Sequence, residues 1–218
     1  MSTSSPPPAV PSDPRGQRRA GAGGYHHGDL QQALLQAAHD IAHELGSASL
    51  TLRAVARRAG VSHTAAYNHF DDKDDLLRAL AIKAFERLGV ASRATLRAPD
   101  ATVEDVALTY LRFGLANPVE FRFMFDRSLC MPEGEPDPLK SASLEALRVL
   151  RDALVEWQRS GALRDGDPDT LALAVWTQMH GITTIAVESP TFVGVPQPQI
   201  EELTRSVVRA LIHGIGAA

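Results

Sequence analysis

Ser62, His63, Thr64, Tyr67 and Asn68 crowd into one short stretch of the chain, and their types suit hydrogen bonding to the edges of nucleic-acid bases. Asn can pair with adenine in a bidentate manner, Ser and Thr can bond either base type, and a Thr methyl can meet a thymine methyl. Tyr67 and His69 have the donors and reach to hold phosphates, and Lys73 follows at the start of the next segment. With Thr51 and Arg53 they complete a candidate set in which some contacts read bases and others fix register.

Such a set needs a rigid mount, and the segment TLRAVARRAGVSHTAAYNHF, residues 51–70, has the features of one. Thr51 is placed as N-cap of a short helix at about Leu52–Ala59, and Ser62 as N-cap of a second running to about His69. Two helices crossing at a steep angle need a small residue at the crossing, and Ala56 fits. The turn between them needs a residue that tolerates positive φ, and Gly60 supplies it. Val55, Ala59, Val61 and Ala66 then fall inward, leaving the polar set outward. Polar residues on an arbitrary helical hairpin would simply be solvated. The combination of Ala56, Gly60, Val61 and Tyr67 instead specifies a helix-turn-helix.

Around that mount the apolar period is helical almost everywhere. Leu30, Leu34, Ala37, Ala38, Ile41 and Leu45 repeat at three and four, with Gly46 as the stop. Asp72 caps a longer helix carrying Leu76, Leu77, Leu80 and Phe85 on one face. Five more helices are expected near 102–116, 118–127, 138–160, 168–187 and 198–214, three of them opened by Pro118, Pro138 and Pro168. No useful run alternates at period two. The expected architecture is all-α: a Pro-, Ser- and Gly-rich tail (1–24), unable to offset its own ordering entropy, then a small bundle (25–88) and a larger one (89–218). The first reading of that tail is an inert one; a basic arm of Arg15, Arg18 and Arg19 that ties to phosphates or enters a minor groove is the second.

The chain of 218 residues is 44% hydrophobic and 22% charged, ordinary for a globular protein. A formal net charge of −4 does not suggest a nucleic-acid partner, but its distribution does. Residues 15–93 hold 11 Lys/Arg against 8 Asp/Glu, whereas the remainder holds 11 against 18. The single Cys130 excludes an internal disulfide and any thiolate zinc site. No apolar run reaches the ~18 residues of a membrane span, and the N-terminus lacks the apolar core of a signal peptide; a cytoplasmic protein is expected.

Catalytic arrangements fit less well. His39 and His43 stand four apart in HDIAH, like the paired ligands of HExxH zinc hydrolases. Asp40 is one methylene shorter than the glutamate that chemistry uses, and no third ligand is near in sequence. This metal-dependent hydrolase is the alternative from another class. Ser62, His63 and His69 lack a nucleophile elbow, Cys130 has only Arg127 as a nearby cation, and no phosphate-binding glycine loop or cofactor motif is present. The expectation is therefore no enzyme, no cofactor and no metal.

Residues 25–77, from YHHGDLQQALLQAAHDIAHELG through LTLRAVARRAGVSHTAAYNHFDDKDDLL, resemble the DNA-binding domain of the TetR/AcrR family, with Tyr67, Phe70, Lys73 and Leu76 matching the pattern that follows its recognition helix. Trp176, His180 and Gly181 in VWTQMHGI resemble the Trp-xxx-His-Gly signature of one subgroup's C-terminal domain. The resemblance implies a homodimeric transcriptional regulator, usually a ligand-released repressor, on a palindromic operator; an activator or a ligand-independent DNA binder is the alternative. It implies dimerisation through the last two long helices, whose Leu171, Val175, Met179, Ile182, Ile200, Leu203, Val207, Leu211 and Ile215 are spaced to face a core or a partner. Phe113, Phe121, Met124, Phe125, Trp157, Trp176, Met179 and His180 are the candidate lining of an effector pocket. Asn68 stands where many relatives carry Arg, so no operator sequence carries over.

Overall fold

The structure, a computed structural model, describes residues 27–215, with side chains described over residues 29–214. The expected tail and its arginines lie outside the described residues, as does the side chain of Ile215. The helices are α1 (His27–Leu45), α2 (Leu52–Arg58), α3 (His63–Tyr67), α4 (Lys73–Thr95), α5 (Val103–Ala116), α6 (Pro118–Met124), α7 (Pro138–Arg159), α8 (Pro168–Glu188) and α9 (Gln197–Ile215). Among the described residues there is no strand, and no helix is long and apolar enough to cross a membrane.

The helix starts follow local chemistry. Pro118, Pro138 and Pro168 open α6, α7 and α8, where a missing N–H costs nothing. Asp137 accepts from Leu139 N at 2.9 Å and Asp167 from Thr170 N at 2.9 Å. Thr102 and Asp105 form a reciprocal capping box at α5.

One continuous apolar core runs from Leu34, Ile41, Val55 and Phe70 under the small helices to Leu150, Leu154 and Val175 in the larger bundle. A second, smaller cluster joins Leu108 and Leu111 of α5 to Ile200 of α9. The α4 helix runs unbroken across the expected boundary at 88/89 and packs on α6 and α7. Helix α5 packs on both α8 and α9. Gly114 permits the α8 approach, because a Cβ there would collide with Thr183.

The apolar stripe expected on α8 and α9 divides. Leu171, Val175, Met179 and Ile200 are buried in the chain's own core, because α5 and α7 cover that side of α8. Ile182, Val207 and Leu211 are half-buried. Leu203, together with Leu173 and Ile185, is exposed.

Candidate nucleic-acid interface and internal cavity

The helix-turn-helix forms as its spacing requires. Thr51 Oγ1 accepts from Ala54 N at 3.1 Å, and Ser62 Oγ from Ala65 N at 3.1 Å. Each hydroxyl keeps its own proton to donate elsewhere. Gly60 has φ 72°, and the turn closes through Val61 N to Ala56 O at 3.0 Å. Ala56 and Ala66 are buried where α2 and α3 meet, whereas Ala59 and Val61 are half-buried. Arg58 pairs with Glu44, tying α2 to α1.

Ser62, His63, Thr64, Tyr67 and Asn68 are all exposed along α3, and Arg53, Arg57 and Lys73 are exposed beside them. The His63 and Tyr67 rings meet edge to face with centroids 4.7 Å apart, so Tyr67 is held rather than free to wander. His69 differs from the rest: it is half-buried. The acidic run Asp71–Asp75 is partly consumed in capping α4. Asp72 accepts from Asp75 N at 2.8 Å, and Asp75 accepts from Asp71 N and pairs with Arg78 at 3.3 Å. Arg57 is not among the sequence candidates, because a short amphipathic helix does not show which of its arginines pairs with a neighbour.

The first histidine of HDIAH reaches across to α6. His39 Nδ1 bonds to Glu120, which is 1% exposed on α6, and Arg87 of α4 stands 3.6 Å from the same carboxylate. The His39 and His43 ring centroids are 6.3 Å apart. Among the described residues no group of three His, Cys, Asp or Glu could hold a metal ion.

Inside the larger bundle lies a cavity of about 200 Å³. Helix α4 contributes Phe85, Leu88 and Ser92, and α5 contributes Val106 and Tyr110. Ser143, Leu144, Ala146, Leu147 and Leu150 of α7 face them, and Phe125, Trp176 and Met179 complete the wall. Of the expected lining, then, Phe125, Trp176 and Met179 are in place. Phe121 and Met124 are buried in the core because α6 turns them inward. Phe113 lies under the Arg87 guanidinium, 5.8 Å from ring to cation, and Trp157 borders a separate groove with Leu96 and Arg97.

His180 stands behind the wall. Its ring stacks on Trp176 at 5.4 Å and contacts Phe125 at 4.3 Å. Its Nδ1 is 3.1 Å from the Tyr110 hydroxyl and its Nε2 is 3.4 Å from Thr184 Oγ1. Burial holds its pKa below the usual imidazole value against a weaker opposing pull from Glu188, so the ring is neutral at neutral pH. Burial likewise pushes the Tyr110 phenol up, keeping it protonated. The α4 and α7 walls were not legible in the sequence, since Phe85 and Leu150 carry the same pattern as any core residue.

An exposed polar helix on a glycine turn, with a larger helical bundle and its apolar cavity behind it, has the architecture of a helix-turn-helix DNA-binding protein with a C-terminal helical domain. The comparisons agree. Residues 34–80 match the model described as bacterial regulatory proteins of the tetR family, and residues 103–211 match the tetracyclin repressor-like C-terminal domain. The chain belongs to the TetR family of transcription regulators. Among solved structures, a protein of unknown function from Rhodococcus sp. RHA1 is 30% identical over 89% of this chain and 99% of its own, with a TM-score of 0.74. A TetR-family regulator from Pectobacterium atrosepticum shares the fold at 18% identity, 88% and 96% coverage and a TM-score of 0.70. RolR, solved with resorcinol, does so at 18% identity, 84% and 88% coverage and a TM-score of 0.59. No curated protein matched the sequence.

Proposed function

We propose that the protein is a homodimeric repressor that holds a palindromic operator and releases it when a small molecule enters the α4–α8 cavity. Helix α3 enters the major groove: Asn68, Ser62, His63 and Thr64 contact base edges, while Tyr67, Lys73, Thr51 and Arg53 hold phosphates. His69, half-buried, is the weakest member of that set. The observation that carries the reading is the path of α4. Its first residue, Lys73, lies beside the recognition helix, and the same helix puts Phe85, Leu88 and Ser92 into the cavity wall. An occupant that favours one position of α4 therefore also favours one spacing of the two recognition helices, which must match half-sites about 34–36 Å apart.

The exposed Leu173 and Ile185 of α8 and Leu203 of α9 support a partner face on those helices. The test is a thermal-shift screen at constant pH, followed by gel shift on the duplex upstream of the protein's own gene. Compounds that raise the melting temperature should weaken the DNA complex. Stabilising compounds that leave DNA binding unchanged would refute ligand release. Sedimentation of Leu203→Glu should show monomer where the native protein shows dimer.

A further inference from the structure

The cavity contains no partner for a charged ligand. No Lys, Arg, Asp, Glu or His side chain is part of its lining, whose polar groups are Tyr110 and the Ser92 and Ser143 hydroxyls. Ser143 already donates to the Lys140 carbonyl at 2.8 Å, and the Tyr110 hydroxyl is engaged with His180. His180 is itself satisfied on both nitrogens and neutral. Arg87, the cation nearest along α4 to Phe85 and Leu88, is committed to Glu120. The remaining walls include the aromatic side chains of Tyr110, Phe125 and Trp176, which suit an aromatic occupant.

We propose that this cavity selects an electrically neutral, largely apolar molecule of one or two rings, and rejects carboxylates and ammonium compounds of the same shape. The selection rests on reading the cavity as the effector site, and follows from the cost of stripping water from an ion without supplying a counter-charge. Leu144 lines the cavity and is 49% exposed, so the cavity opens beside α7, and a cation placed there should weaken the preference.

Trp157 and Trp176 are the two tryptophans, so Trp157→Phe leaves Trp176 as the sole reporter in the cavity wall. The full-length variant is titrated at neutral pH with methyl benzoate against benzoate, methyl 2-naphthoate against 2-naphthoate, and benzyl alcohol against benzylamine. At least one ester should quench or shift Trp176 emission and bind at least a hundredfold tighter than its acid, and benzylamine should be excluded as benzoate is. Adding Leu144→Lys should narrow the gap between ester and acid at least tenfold. Equal binding of ester and acid, or no binding by either ester, overturns the proposal. Gel shift separates the two readings. An ester that binds at Trp176 yet leaves DNA bound would remove ligand release and keep the neutral cavity, whereas a carboxylate that binds and releases DNA would do the reverse.

Discussion

The imidazole of His39 on α1 bonds to the carboxylate of Glu120 on α6, joining residues 81 positions apart across the two parts of the molecule. Arg87 Nη1 stands 3.3 Å from His39 Nδ1, so the three side chains form one cluster. Removing the imidazole leaves a buried acid with only Arg87, 3.6 Å away, as an ionic partner. His39→Ala should therefore cost about 1–3 kcal/mol of unfolding free energy, and Glu120→Gln should relieve part of that loss in the double variant. Urea denaturation of the cycle checks it; strictly additive losses would mean that the two groups do not act as a pair.

The proposed function divides the surface around α3 into positioning and reading contacts. Lys73→Ala should weaken binding to every duplex and reduce the salt slope by about 1; Tyr67→Ala should likewise weaken all duplexes. Asn68→Ala should change which operator is preferred, because a bidentate base contact discriminates by about 1–3 kcal/mol. Competition binding at several salt concentrations separates them, and a uniform loss for Asn68→Ala would make it a backbone contact.

Gly60 isolates a backbone effect. Its φ is 72°, and a Cβ built there meets nothing within 4 Å, so any penalty is conformational. Gly60→Ala should cost about 1–2 kcal/mol, Gly60→Val more, and Gly60→Asn least, since Asn tolerates this region. Equal melting temperatures across the three would contradict the turn.

Acid should loosen the contact between α5 and α9. Arg112 holds Glu201 through two bonds, at 2.8 and 2.7 Å, and with Gln197 it lowers the Glu201 pKa to about 2 from 4.5. The folded pKa lies below the unfolded one, so this stabilisation is complete above about pH 4.5 and is lost as the pH falls toward 2. Arg112 is half exposed, which keeps the contribution modest. Glu201→Gln should flatten the fall of melting temperature between pH 5 and 2; an unchanged slope would contradict the assignment.

Much of this was legible beforehand because it is local. Caps at Thr51, Ser62 and Asp72, the glycine turn and the proline starts are set by residues within one helical turn of each other, and their bonds fall as expected. The candidate cavity was less legible because an aromatic residue at helical spacing fits core and lining alike. Phe121 and Phe125 share a helical face, yet the first is buried core and the second lines the cavity. Glu120 was invisible for a different reason. An acid in the first turn of α6 already has a helix-dipole explanation, and only tertiary packing brings His39 to it. That packing also turns a motif resembling a metal-ligand pair into an interdomain contact.

The most direct measurement is the binding of purified full-length protein to the duplex upstream of its own gene, in competition with a random duplex of equal length at modest ionic strength. A clear preference for the native duplex, diminished or redirected by Asn68→Ala, is the predicted result. Equal affinity for both duplexes, unchanged by that substitution, would contradict the assignment of α3 as a reader of DNA sequence.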